Sequence, residues 1–334
     1  MKAWLSREAG GPESLHLEEV ADPVAGPGQL LVRIHAASLN FPDTLIIADR
    51  YQHKPPRPFT PGTDAAGVVE AVGEGVTGFA VGDRVAGLVP TGALAERAVM
   101  DEWRAFPIPA EMPYAVAAAL IMVYGTTIHA LVDRGRLQAG DSLLVLGAAG
   151  GTGLSAVQVG KALGARVVAA VSSQAKAEAA RAAGADAAIV YPTGPLDKAA
   201  SRALADQFKA AAPDGYAVVY DPVGGDYVEP ALRAIGWEGR YLVIGFTAGI
   251  AHLPLNLVLL KACNVVGVFW GAWTMRNRAQ SRAEMAQLFA MWQEGRIAPP
   301  IGAHFPFALA PQALAALDER RAVGKLIVDV VAPQ

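Results

Sequence analysis

One run of residues constrains this chain more than any other: Leu143-Leu144-Val145-Leu146-Gly147-Ala148-Ala149-Gly150-Gly151-Thr152-Gly153, leading directly into the helical pattern Leu154 to Leu163. An apolar strand must turn sharply into a helix here. Small residues let the backbone approach a pyrophosphate, and the helix start offers free N–H groups and the positive end of its dipole. Gly150 and Gly153 fit the second and third glycines of a dinucleotide fingerprint, and Ala148 stands where the first would be. A glycine turn can also serve packing alone. Its place between a strand and a helix, with another strand following, favours a cofactor cradle formed by Ala149, Gly150, Gly151, Thr152 and Gly153.

The surroundings agree with that reading. From about Leu120, alanine-rich helical runs alternate with apolar strands: GLSAVQVGKALGA, RVVAAVSS, QAKAEAARAAGA, DAAIVY, YAVVYDPVGG, RYLVIGF and NVVGVFWG. This alternation predicts a doubly wound parallel sheet with right-handed crossovers. The first third instead carries short β-branched runs between turns (LLVRIHAAS, GVVEAVG, DRVAGLV), the pattern of a β-rich domain. At 334 residues the chain has room for both. After Trp273 a charged helical segment precedes a short β-like tail, GKLIVDVV, which could rejoin the first domain.

Two uncharged stretches, Ser142 to Gly160 and Tyr241 to Leu260, are long enough to raise the question of membrane spans. Glycines interrupt the first, and Gly245, Gly249 and Pro254 the second, so each reads as a buried parallel strand followed by other elements. Twenty-eight basic against 31 acidic residues give a net charge of −3, which supplies no footprint for nucleic acid or anionic lipid. The single cysteine, Cys263, excludes a disulfide framework and a cysteine-rich zinc site, and is expected to be buried and inert. Nothing at the amino terminus reads as a signal peptide, so a cytoplasmic location is expected.

The strand Arg166 to Val171 should end beside a bound adenosine ribose. An NAD-preferring chain usually carries a carboxylate there. This one has Ser172-Ser173-Gln174-Ala175-Lys176. Two hydroxyls and an ammonium can hold a 2′-phosphate, whereas a carboxylate about 4 Å away would repel each phosphate charge by ~1 kcal/mol in water and ~4 kcal/mol near a protein surface. NADPH is therefore the expected cofactor. The serines can at the same time cap the following helix, with Lys176 a solvated charge.

With SLNFPDTLI, TPGTDAAGVVEAVGEGV, GFAVGDRVAG, LLVLGAAGGTGLSAVQVGKALGA, VYDPVGG and the terminal GKLIVDV in view, the whole chain resembles the zinc-independent quinone oxidoreductase branch of the medium-chain dehydrogenase/reductase superfamily. The resemblance implies an α/β chain with a GroES-like β-rich catalytic domain over 1–122, completed by 271–334, and a Rossmann domain over 123–270. Zinc enzymes of the superfamily have a cysteine three residues before an aspartate, and a Gly-His-Glu triplet downstream. The matching positions here are Asn40 before Asp43, and Gly62-Thr63-Asp64. Three ligands of the usual kinds are not assembled, so no zinc is expected. His35, in an expected strand, and His129, in an expected helix, read as structural.

By resemblance, Asn40, Asp43 and Tyr51 would line the catalytic pocket, Thr126 would touch the nicotinamide region, Tyr191 would lie near the adenosine end, and Phe246 and Phe269 would flank the cofactor path. Asn40 and Asp43 could instead stabilise a loop, Tyr51 could be surface decoration, and the two phenylalanines could be core. The implied reaction is hydride transfer from NADPH to a quinone or conjugated carbonyl. An enoyl or 2-alkenal reductase, or a crystallin-like protein that binds NADPH without turnover, are the rival readings. The uncharged segment Asn264 to Trp270 reads as the last, edge strand of the parallel sheet, open either to pairing with a second copy or to cover by Ala272 to Arg296, and the resemblance implies a homodimer joined there.

Overall fold

The computed structural model describes residues 1–319 and 323–331, so 320–322 and 332–334 of the expected first domain lie outside the described residues. Two compact units emerge, Met1–Met122 with Pro299–Gln334, and Val123–Ala298.

The first unit is built on a seven-stranded, mostly antiparallel sheet. In it Gln29–Ser38 lies between Lys325–Asp329 and Asp64–Val72, and Arg97–Asp101 also pairs with Gln29–Ser38. The central strand obeys the two-residue period of a sheet: Leu30, Val32 and Ile34 point into one core with Val69, Val85 and Met100. The carboxyl-terminal strand pairs Ile327 with Ser38, which carries Lys325 to the end of the central strand beside Leu39 and Asn40.

The second unit contains six parallel strands in the order Ala187–Val190, Arg166–Val171, Ser142–Leu146, Tyr216–Asp221, Ile235–Val243, Asn264–Gly267. In chain order this is 3-2-1-4-5-6, the doubly wound arrangement whose direction reverses between its first and fourth strands. The glycine turn leaves the first strand at that reversal.

Two expectations need correction. Residues 271–298 do not complete the first unit: the helices Trp270–Arg276 and Arg278–Gln293 belong to the second, and the return begins at Pro299. The last parallel strand stops at Gly267, and Phe269 and Trp270 open a helix instead. Trp270 is drawn inward to pack on Gly125, where an added Cβ would lie 2.3 Å from its ring. The two uncharged stretches are strands followed by helices, as expected; among the described residues one helix, Tyr114–Arg134, is long and apolar enough to cross a membrane, and 72% of its most apolar window is buried, as in a core helix.

Candidate functional site

The turn after Ser142–Leu146 is shaped by two glycines. Gly147 takes the left-handed conformation, φ +60°, so the tight turn falls one residue before Ala148, which is itself fully buried. Gly153 sits where a Cβ would lie 2.2 Å from the Gly147 carbonyl oxygen and 2.6 Å from the Ala148 Cα, so the helix Gly151–Ala162 can approach the strand only without a side chain there. Gly150 is the N-cap and offers no capping side chain, which leaves the first-turn N–H groups directed at whatever occupies the turn. A buried hydroxyl chain fixes the helix from beneath: Thr127 Oγ1 lies 2.6 Å from Ser155 Oγ and 2.9 Å from the Tyr220 hydroxyl.

At the end of the next strand, Ser172, Ser173 and Lys176 come together. Ser173 caps the helix Gln174–Ala182 by accepting from the Lys176 backbone N–H at 3.3 Å, and the Lys176 ammonium donates to Ser172 Oγ at 3.0 Å. Capping and a cationic notch thus coexist on one helix start.

Tyr191 follows the third strand and is buried, its ring 4.6 Å from that of Tyr227; burial pushes its hydroxyl pKa up to about 12. Phe246 and Phe269 are not core residues: they are 52% and 59% exposed, in the loops that follow the fifth and sixth strands. Thr126 is half-buried on the helix Tyr114–Ile128, next to the Gly125 and Trp270 contact. Asp221 ends the fourth strand. Its buried carboxylate accepts from the Val223 and Gly224 N–H groups at 2.7 and 2.9 Å and from the Tyr241 hydroxyl at 2.7 Å, which holds the following glycine loop closed.

In the first unit Asn40 and Asp43 belong to a buried polar cluster that also contains Asp64 and Lys325. Asp43, three residues into the helix Phe41–Ile47, accepts from the Asn40 backbone N–H at 2.8 Å, one half of a capping box. The Asn40 amide bridges the other two: its nitrogen donates to Asp64 Oδ2 at 2.8 Å, and its oxygen accepts from the Lys325 ammonium at 2.6 Å. Lys325 also donates to the Leu39 carbonyl at 2.7 Å. Burial raises the Asp43 carboxyl to about 7, with Asp64 adding to the rise while the Asn40 N–H and Lys325 oppose it. Burial likewise lifts Asp64 to about 6, against the pull of Lys325 and Asn40, and lowers Lys325 against the pull of both carboxylates. Tyr51 is half-buried against the same core; burial, then the nearby Asp43 charge, raise its hydroxyl pKa.

Sequence reading placed Asn40, Asp43 and Tyr51 in one neighbourhood but missed Lys325 and left Asp64 as a lost ligand position. The signal available for Lys325 was a lone cation opening an apolar strand, GKLIVDV. A buried strand carries such a charge only where a partner awaits it.

Comparison with known proteins extends this geometry. Residues 26–110 match the alcohol dehydrogenase GroES-like domain, and residues 151–290 match the zinc-binding dehydrogenase domain. Quinone oxidoreductase-like protein 2 of Rattus norvegicus is 35% identical over 344 residues, covering 98% of this chain and 96% of that protein. The solved structure of mycobacterial Rv1454c complexed with NADPH superposes with a TM-score of 0.88 at 29% identity, covering 98% of this chain and 99% of that one. A quinone oxidoreductase of Pseudomonas syringae pv. Tomato DC3000 also gives 0.88, at 31% identity and the same coverage. With a GroES-like domain, a 3-2-1-4-5-6 parallel sheet and relatives along its whole length, this chain is an oxidoreductase of the quinone oxidoreductase branch of the medium-chain dehydrogenase/reductase superfamily.

Proposed function

We propose that this enzyme is an NADPH-dependent reductase that acts on a quinone or related conjugated carbonyl without a catalytic metal. Bound NADPH supplies the hydride. The uncapped helix start at Gly150–Gly153 suits its pyrophosphate, and the notch of Ser172, Ser173 and Lys176 suits a 2′-phosphate, in keeping with the NADPH complex of the mycobacterial relative. Tyr191, Phe246, Phe269 and Thr126 are assigned to the cofactor path. The two phenylalanines are exposed aromatic rings at the strand ends where such a ligand binds.

The observation that carries the reaction class is the Lys325 ammonium, held 2.6 Å from the Asn40 amide oxygen. Asn40 and Thr63 stand where zinc enzymes of the superfamily keep cysteine and histidine, and the fixed Lys325 cation beside Asn40 disfavours a metal at that position. Without a Lewis acid to polarise an alcohol, the fitting acceptor is one that already takes hydride readily. The Tyr51 hydroxyl stays protonated through the neutral range and can donate to an acceptor oxygen. The rest of the rate enhancement falls to positioning and exclusion of water.

The test is NADPH oxidation across a panel of quinones, enals and enoyl thioesters, before and after dialysis against a chelator. Turnover on quinones or enals that survives chelation is expected, with Lys176→Ala weakening NADPH binding roughly 10- to 100-fold and leaving NADH unchanged, the usual size of a hydrogen bond to a charged group. Turnover on enoyl thioesters alone would make the protein a double-bond reductase. No turnover anywhere would leave a nucleotide-binding protein.

We further propose a homodimer joined along the sheet edge. Asn264–Gly267 ends the strand order, and the exposed Leu255 (71%), Leu259 (80%) and Leu260 (67%) precede it, an apolar surface that pairing across a two-fold axis would cover. Light scattering should give a dimer mass, and Val266→Lys a monomer. A monomeric native protein, or a dimer indifferent to that charge, would defeat the proposal.

A further inference from the structure

A second polar cluster lies in the Val123–Ala298 unit, among His129, Asp133 and Glu284. The helix that starts at Tyr114 does not end as an α-helix: residues His129–Arg134 form a π-turn. Such widened turns are uncommon and recur at functional sites. The turn brings His129 Nδ1 to 2.8 Å from Asp133 Oδ2, and the Trp273 ring, stacked at 4.1 Å, fixes the plane of the imidazole. The other Asp133 oxygen accepts from Gln280 Nε2 at 2.9 Å. Glu284 enters from the helix Arg278–Gln293, one turn beyond Gln280.

Glu284 is the unusual member. Its side chain is buried, at 6% exposure, and neither carboxylate oxygen accepts a hydrogen bond from a donor among the described residues; burial, and then the Asp133 carboxylate within hydrogen-bond reach, raise its carboxyl to about 9. A buried carboxyl group left in this way is costly, and a second carboxylate beside it adds repulsion. Something must compensate, either a proton or a cation. One donor atom from each of His129, Asp133 and Glu284 lies within 4.8 Å of the other two. Zinc with ligands at 2.0–2.2 Å in tetrahedral geometry needs donor atoms about 3.4 Å apart, so side-chain adjustments of up to about 1.4 Å would close the set. Asp133 is partly exposed and gives the ion a way in from solvent.

We propose that His129, Asp133 and Glu284 form a binding site for one divalent first-row transition-metal ion, with zinc the best match to one imidazole and two carboxylates. The ion would neutralise both carboxylates and tie the helix Arg278–Gln293 to the π-turn. Its fourth position would be left to water. The site is separate from the slot at Asn40 and takes no part in hydride transfer.

The experiment uses full-length untagged protein, stripped with a chelator and desalted, then titrated with zinc chloride alone while bound metal and melting temperature are followed. One zinc per chain with micromolar or tighter affinity is expected, with a rise in melting temperature of about 5 °C at a hundredfold excess over Kd. His129→Ala and Glu284→Gln should each weaken binding at least 100-fold. Glu284→Gln also guards against misfolding, because removing a buried carboxylate from beside Asp133 should leave the metal-free melting temperature at or above that of the parent. No stoichiometric zinc at about 100 μM, or binding undiminished in both variants, overturns the site. A metal-insensitive protein that Glu284→Gln merely stabilises would show that a shared proton is the compensation, and would overturn it too.

Discussion

Replacing Lys325 with methionine is expected to remove about 3–5 kcal/mol of stability at pH 8, the usual consequence of leaving buried charge without its partner. Asp43, Asp64 and Asn40 are all within 5% of full burial, so water cannot substitute for the lost ammonium. The pH dependence gives a second readout. An aspartate titrates near 3.9 in the unfolded chain, whereas folded Asp43 titrates at about 7 and Asp64 at about 6. Between pH 4 and 7 the folded state therefore holds protons that the unfolded state has released, and the contribution of these carboxyls to stability falls as the pH rises. Losing Lys325 removes the charge that opposes the upward shifts, so the variant should lose stability more steeply between pH 5.5 and 8 than the parent. Denaturant unfolding at those two pH values checks both statements. A loss below about 1 kcal/mol at pH 8, or parallel pH profiles, would show that the cluster does not depend on this cation.

The second large effect is expected at the glycine turn, where two substitutions separate packing from cofactor contact. A Cβ at Gly153 meets backbone atoms of Gly147 and Ala148, which cannot rotate away, so Gly153→Val must displace the helix from the strand. Loss of NADPH binding by more than about 100-fold is expected, together with a lowered melting temperature, since overpacking of this kind typically costs 1–3 kcal/mol or more. Gly150 is different. Its backbone, φ −75° and ψ 166°, suits any residue, and a Cβ there would have its nearest neighbour at 3.6 Å, the Gly147 oxygen. Gly150→Ala should therefore fold as the parent does, yet bind NADPH at least tenfold more weakly if the pyrophosphate approaches this backbone. Fluorescence titration of NADPH alongside thermal melts distinguishes the cases. Unchanged affinity in a folded Gly150→Ala would mean that the turn serves packing only.

These two sites also mark how far the sequence could be read. The turn was legible because all its parts are local: an apolar strand, glycines at fixed offsets and a helix start fall within about twenty consecutive residues, and the next strand end carries its own serines and lysine. The parallel sheet was legible for a related reason, since strands covered on both faces are written as continuous apolar runs between helices. Where the last strand ended was not, because Val268 to Trp270 are as apolar as the strand before them, and only the pull of Trp270 onto Gly125 turns that segment into a helix. The helices of 270–298 carry no local mark of the unit they join; that was decided by which core their buried faces fit. The two polar clusters lie further still from sequence reading. Lys325 meets Asn40 across 285 positions, and Glu284 reaches His129 and Asp133 from another helix through a π-turn that no local pattern announced. Local chemistry determined the parallel sheet and the glycine turn. Tertiary structure alone decided which buried charges face one another, because a charge's partner is set by where distant backbone is brought, and only burial makes that partner indispensable.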